Sequence, residues 1–218
     1  MPDNLTTLIS RVQAMLLDDA TQFTTATCTA AIREALHQFN QAAPVHAGTL
    51  IDTIADQYEY ALNAADFTGL LEVIGVFYGG NPPVESANAP QDCAIYWLDN
   101  DPYIRLKSPL SAGAAVLDVR FTLPHTINGL DTQVESTLDT DQEQTLIDGA
   151  CAAACRIRAA DRTETVNLDP DTVAEWRRNG GLYAEAFRLG LLRYKLRPTP
   201  AGAPDTRAWN DEWHNWLR

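Results

Sequence analysis

Thr24-Thr-Ala-Thr-Cys-Thr-Ala-Ala-Ile-Arg-Glu-Ala-Leu-His-Gln-Phe-Asn-Gln-Ala-Ala-Pro44 is the stretch on which the fold turns. Cys28, Ala31, Ile32, Ala35, Leu36 and Phe39 recur at helical spacing, which puts one apolar stripe on a helix running from about Thr24 to Ala43. Pro44 ends it, because proline has no N–H to donate and its ring clashes with the preceding turn. Beyond that proline the apolar period falls from 3.6 residues to two, so helix gives way to sheet. The chain is therefore expected to be α+β.

Towards the N-terminus, Leu5, Leu8, Ile9, Val12, Met15 and Leu16 make a second stripe over residues 4–17, with Asn4 or Thr6 placed to cap it. Asp18-Asp19 and Thr21 form a turn, so the two helices are expected to run antiparallel and bury one seam. Towards the C-terminus, Thr49–Ile54 and Gln57–Leu62 alternate around a turn at Ala55-Asp56. Leu70–Tyr78 is a strand rich in Val, Ile, Phe and Tyr, ended by Gly79-Gly80-Asn81-Pro82-Pro83. Ala94–Leu98 and Tyr103–Lys107 flank a hairpin connection at Asp99-Asn100-Asp101-Pro102, and Ala114–Thr122 closes the series. Six short strands with polar turns predict an antiparallel β-sandwich or small barrel inserted into a helical bundle.

Pro124 to Asp139 reads as a loop. A third helix is expected from Asp139 or Thr140 to about Ala160, and its small face, Gly149, Ala150, Cys151, Ala153 and Ala154, allows close approach of another helix. Asp169, Pro170 and Asp171 make a strong start for a fourth helix. Asn179-Gly180-Gly181 is expected to break or kink it before Leu182–Leu196 resumes. The expected organisation is thus an N-terminal helix pair (1–48), a β insertion (49–123), C-terminal helices completing the bundle (124–197), and an extended arm of proline-rich linker and tryptophan-rich tail (198–218).

The formal net charge is −13, unevenly spread: residues 1–150 hold 5 basic and 20 acidic side chains, and residues 151–218 hold 11 and 9. Gripping nucleic acid needs clustered cations to neutralise phosphates, so an acidic body disfavours it. With 14 Arg and 2 Lys, the basic residues suit bidentate pairing with carboxylates. Cys151 and Cys155 sit one helical turn apart, but no nearby His or Cys completes four metal ligands; buried small thiols are the expectation for these and for Cys28 and Cys93. Met1-Pro2-Asp3-Asn4 does not open a secretory signal, and no apolar run approaches the roughly 20 residues of a membrane span. A soluble chain made in a reducing cytoplasm is expected, with no membrane partner.

No phosphate-cradling Gly-x-x-x-x-Gly-Lys, His-Glu-x-x-His or Gly-x-Ser-x-Gly occurs. Asp99 and Asp101 read as turn chemistry rather than paired catalytic carboxylates. His37, His46, His125 and His214 are scattered over different elements. No catalytic residue, cofactor or metal is therefore expected. Trp209, Trp213 and Trp216 put three of the five tryptophans into eight residues, beyond Pro198, Pro200 and Pro204. Large aromatics beyond such a breaker have no core of their own to fill, and tryptophan is enriched at interface anchors. The tail reads as a docking arm for another protein; folding back onto its own domain is the plainer alternative.

Taken together, the opening pattern Leu8-Ile-Ser-Arg-Val12 through Leu16-Leu-Asp-Asp19 and Ala30-Ala-Ile-Arg-Glu-Ala-Leu36, then Ala55-Asp-Gln-Tyr-Glu-Tyr60, Leu70-Leu-Glu-Val-Ile-Gly-Val-Phe-Tyr78, Pro124-His-Thr-Ile-Asn-Gly-Leu130, Gln144-Thr-Leu-Ile-Asp-Gly-Ala150, Arg162-Thr-Glu-Thr-Val-Asn167 and the Trp-x-Asp-x-Trp ending at Trp213 resemble head–tail connector (adaptor, or neck) proteins of tailed bacteriophages. The resemblance implies a structural virion protein, assembled in host cytoplasm. It implies a ring, commonly of twelve copies, that joins the portal protein to a downstream neck or tail protein and extends a channel through which DNA passes without specific binding. By the same resemblance Trp209, Asp211, Trp213 and Trp216 dock on the portal. A tail-completion or baseplate part is the nearest alternative. A carbohydrate-binding or hydrolytic sandwich is a more distant one, since Tyr58, Tyr60, Tyr78, Tyr96, Trp97 and Tyr103 supply aromatics for sugars, although at alternating strand positions such residues are expected to pack the core.

Overall fold

A computed structural model of the chain describes residues 2–17, 22–62, 69–79, 93–98, 101–107, 116–163 and 170–195. The fold is α+β, with helices and antiparallel sheets. Met1–Pro44 and His125–Arg197 make one compact unit, and Val45–Pro124 belongs to a second.

In the helical unit, α1 (Leu5–Met15) starts at Asn4, whose Oδ1 accepts the Thr7 N–H at 2.9 Å. Helix α2 (Thr25–Ala42) starts at Thr24, whose hydroxyl accepts the Thr27 N–H. Helix α3 (Thr140–Thr163) opens with a reciprocal pair: the Gln142 N–H donates to Asp139 Oδ1, and the Asp139 N–H donates to Gln142 Oε1, both at 2.8 Å. Satisfying two otherwise orphaned donors in this way fixes the start of a helix. Helix α4 (Pro170–Lys195) begins at the proline, as expected; Asp169 lies outside the described residues.

One cluster joins all four helices, with Leu8, Ile32, Phe39, Leu146 and Ile147 essentially inaccessible at its centre. Each such side chain contributes about 1.5–3 kcal/mol relative to exposure. Helices α3 and α4 approach through glycine. A Cβ on Gly149 would stand 2.9 Å from the Phe187 ring, one on Gly180 3.0 Å from Cys155 Cβ, and one on Gly190 2.5 Å from Thr145 Cγ2. This contact corrects one expectation: α4 runs uninterrupted through Asn179-Gly180-Gly181. Gly180 is spent on close packing against Cys155 rather than on ending the helix, and tertiary contact overrides its low helix propensity.

The second unit holds six strands: β1 (Val45–Asp52), β2 (Glu59–Ala61), β3 (Glu72–Gly79), β4 (Cys93–Leu98), β5 (Asp101–Leu106) and β6 (Val116–Leu123). They form two antiparallel three-stranded sheets, ordered β1-β6-β3 and β2-β5-β4. Among the described residues these sheets do not close into a barrel; of the two architectures expected, the paired sheets correspond to the sandwich. Tyr60, Ile104 and Leu106 from one sheet and Val76, Leu117, Val119 and Phe121 from the other share one buried cluster. Strand β1 begins four residues before the expected Thr49: Val45 and Ala47 continue the half-buried face of Thr49 and Ile51, and Gly48 lies on the exposed face. The Ala55-Asp56 turn forms, with Asp56 at φ 61°, but β1 and β2 belong to different sheets. The β4–β5 hairpin is tighter than expected: Leu98 pairs with Asp101 and Trp97 with Pro102, so Asp101 and Pro102 are strand residues.

Candidate functional site

The docking residues expected from sequence, Trp209, Asp211, Trp213 and Trp216, lie outside the described residues, as does the whole 198–218 arm. Within the helical unit, the described surface offers a groove between α2, α3 and α4 with a volume of about 740 Å³. Its floor is built from side chains no longer than a methyl group: Ala152, Ala153, Ala160, Gly181 and Ala184. Trp176, Phe187 and Leu191 make the bulkier walls. A Cβ added at Gly181 would meet nothing within 4 Å, so the floor is open there.

The rim is charged. Arg156 pairs with Glu34 across α3 and α2, and Arg188 is held by both Glu185 oxygens, Nε–Oε2 at 2.8 Å and Nη2–Oε1 at 2.6 Å. That pairing draws the Glu185 carboxyl below its ordinary range and raises the Arg188 guanidinium. Arg177, also on the rim, faces no carboxylate partner among the described residues.

Beside the groove, α4 exposes leucines. Leu182 is 68% accessible, Leu189 48% and Leu192 37%. Phe187, Leu189, Leu191, Leu192 and Tyr194 all lie on α4. The structure divides them: Phe187 is buried, and Leu191 and Tyr194 pack against the core. Position around the helix axis carried this signal, since a 100° step per residue separates Leu189 from Leu191 by more than half a turn.

Several groups prove structural. His125, set aside from sequence as a lone loop histidine, is buried and fastens the loop that follows β6 within the helical unit. Its Nε2 lies 3.0 Å from the Ala43 carbonyl and therefore donates, while Nδ1 lies 3.1 Å from the Thr137 hydroxyl. That hydroxyl also accepts the Thr126 N–H, leaving its own proton for Nδ1 of a neutral ring. The ring sits edge-on to Phe39 at 5.5 Å, and burial lowers its pKa. The signal for this role was combinatorial: His, Thr and a helix end meet only in three dimensions.

Cys28, Cys151 and Cys155 are buried free thiols in the helical core. Burial pushes Cys155 up to about 11 and Cys151 further, so both stay protonated and unreactive at neutral pH. Among the described residues no group of three metal-binding side chains comes together. Glu143, buried at the start of α3, is held by Arg11 Nη1 at 3.2 Å, and the same nitrogen lies 2.6 Å from Asp3 Oδ2.

The aromatics of the second unit are more exposed than the core role expected for them. Among the described tyrosines and tryptophans of this unit Tyr60 alone is fully buried, its hydroxyl donating to the Ile54 carbonyl at 3.1 Å. Tyr96 and Tyr103 stack on each other on the opposite face of β4 and β5, with ring centroids 5.6 Å apart. Tyr58 and Trp97 are exposed, and the Tyr78 side chain lies outside the described set. An inner-face register position does not bury Trp97, because it sits one residue from the end of β4.

No protein-family model matches the chain, and no curated protein matches it. Among the described residues no helix is long and apolar enough to cross a membrane.

Proposed function

We propose that this chain is a structural virion protein of a tailed bacteriophage, forming a ring that joins the portal to the tail or next neck protein and extends the DNA channel. The observation that supports this reading best is the apolar surface of the helical unit. A small-floored groove and a row of exposed leucines lie side by side on α4, and surface of this kind is covered in a working protein by another chain. The resemblance to head–tail connectors points the same way. So does the acidic composition of residues 1–150, which suits a channel past which DNA slides without adhering. No residue of the chain is assigned a catalytic role in this reading.

The tail completes the proposal. Trp209, Trp213 and Trp216 recur at i, i+4 and i+7, and with Asp211 they are the residues by which the arm docks on the portal in this reading. Electron microscopy of the protein mixed with the portal from the same genome tests the reading. A symmetric extra layer on the outward face of the portal is expected; no added density, with both proteins folded, sinks it in favour of a tail-completion or baseplate part. Deleting residues 205–218 is expected to leave a folded protein that no longer binds portal. Undiminished binding would remove the docking role from the tail.

A second reading has one observation in its favour. The stacked Tyr96–Tyr103 pair lies beside the Glu59–Arg105 ion pair, with Trp97 and Tyr58 exposed on the same unit, a mixture of aromatic and polar groups that sugars exploit. Binding on a glycan array would favour a carbohydrate-recognition module; silence on the array removes it.

A further inference from the structure

We infer that His125 is a proton-operated latch at the point where the chain leaves the helical unit and returns to it. The neutral ring ties the two crossings together, and the protonated ring releases them.

Connectivity supports it first. The chain passes from the helices to the strands at Pro44–Val45 and comes back at Pro124–His125. Val45 pairs with Leu123, so the outgoing and returning segments run side by side where β1 begins and β6 ends. Both carry a proline, which has no N–H to contribute to a ladder. Hydrogen bonds on the helical side hold this point, and His125 makes two of them. Its N–H donates to Asn40 Oδ1 at 2.7 Å, and its Nε2–H donates to the Ala43 carbonyl at 3.0 Å. The Ala43 carbonyl is bonded directly to Pro44, so the ring reaches from the returning segment to the outgoing one.

The protonation state decides whether the ring fits. Nδ1 accepts the Thr137 proton at 3.1 Å, because that hydroxyl already accepts the Thr126 N–H. A second ring proton would sit on Nδ1 and point at the hydrogen of the same hydroxyl, which would have to turn away. The resulting cation would be buried edge-on to Phe39, and none of the ring's hydrogen-bond partners among the described residues is a carboxylate.

The surroundings of the ring set the direction of the switch. Asp139, in the loop before α3, is the charged group that acts on the ring, and it favours the cation. Helix α2 presents Phe39, Asn40 and Ala43, the loop presents Thr126 and Thr137, and α4 brings Tyr194 against the Phe39 ring at 5.4 Å. Burial outweighs Asp139 and both ring hydrogen bonds, so the latched ring takes a proton less readily than a ring in water. Acid therefore favours the released state, in which the ring and the Ala43 carbonyl both turn to solvent.

The test follows the full chain by NMR from about pH 8 to about pH 5, the range in which histidine titrates. The ring protons of His125 report its titration, amide exchange at Ala43 and His125 reports opening, and circular dichroism confirms that the helices stay folded. Latched and released states compete for one proton, so the opening constant at these two amides is expected to rise by about tenfold per pH unit below 6.5. It is expected to level off where the His125 titration is centred. His125→Gln keeps a donor for Ala43 and an acceptor for Thr137 but cannot gain a proton, and is expected to show no rise. His125→Ala is expected to be open at every pH. Amides that stay protected in wild type through the His125 titration overturn the latch, as does a rise that continues unchanged below it. A rise shared by the glutamine variant, an alanine variant as protected as wild type, or helices that melt before His125 titrates also refute it. If the glutamine variant fails to fold, agreement between the levelling point and the titration in wild type decides alone.

Discussion

The helical unit and the β unit reach stability by different means. In the helices, large side chains such as Phe39 and Phe187 fit against glycine and alanine, so the core depends on shape, with Gly149 and Gly190 leaving no room for a single added carbon. In the sheets, Ile104, Leu117, Val119 and Phe121 follow alternation alone, and Leu50, Ile54, Leu71, Trp97 and Leu98 remain exposed around them. A jigsaw core is intolerant of size changes in both directions. An alternating core is more tolerant of added bulk, because its edges are open.

The largest test of that contrast removes one fully buried side chain from each unit. Phe39→Ala is expected to destabilise the helical unit by about 3–5 kcal/mol, and Ile104→Ala the β unit by about 2–5 kcal/mol. Hydrogen exchange reads where the loss falls. Phe39→Ala should weaken protection in α1–α4 and Ile104→Ala in β1–β6. Loss spreading equally through both units in either variant breaks the picture of two separate cores.

His125 gives the next effect and a pH signature. Truncation to alanine strands the Ala43 carbonyl and the Thr137 hydroxyl and removes an edge-on contact with Phe39, a cost of about 2–3 kcal/mol. Burial lowers the folded pKa below the ordinary 6.5, so the unfolded chain binds this proton more readily. The stabilisation from a neutral His125 is therefore fully present above pH 6.5 and is lost as the pH falls through that value towards the folded pKa. Denaturant unfolding at pH 7.5 and at pH 5.5 should show wild type losing stability relative to His125→Ala; parallel pH dependence of the two proteins would contradict the assignment.

These residues also mark what could be read from sequence. The helices were legible because Leu8, Val12, Ile32 and Phe39 repeat a period. Sheet membership was not, since alternation says which face a residue takes and nothing about which strand it meets. The turn at Ala55-Asp56 thus looked like a link between neighbours although β1 pairs with β6. The groove was half legible. The small residues of α3 announced a close helix, but the exposure of Leu182 and Leu189 depended on how α4 is rotated, which Gly180 and Phe187 decide by contact with Cys155 and Gly149.

The smallest test is the sharpest, because it sets two adjacent residues against each other. Gly180 and Gly181 share one helix and one propensity, and replacing either with alanine gains about 1 kcal/mol from helix formation. At Gly180 the new carbon would stand 3.0 Å from Cys155 Cβ, between two packed helices, and overpacking of about 1–3 kcal/mol outweighs the gain. At Gly181 nothing stands within 4 Å, so the gain survives. Gly180→Ala should lower the unfolding midpoint and Gly181→Ala should raise it. Stabilisation by both would mean that α3 and α4 can move apart at little cost, and the shape-dependent account of the helical core would have to give way to one in which these glycines are merely tolerated.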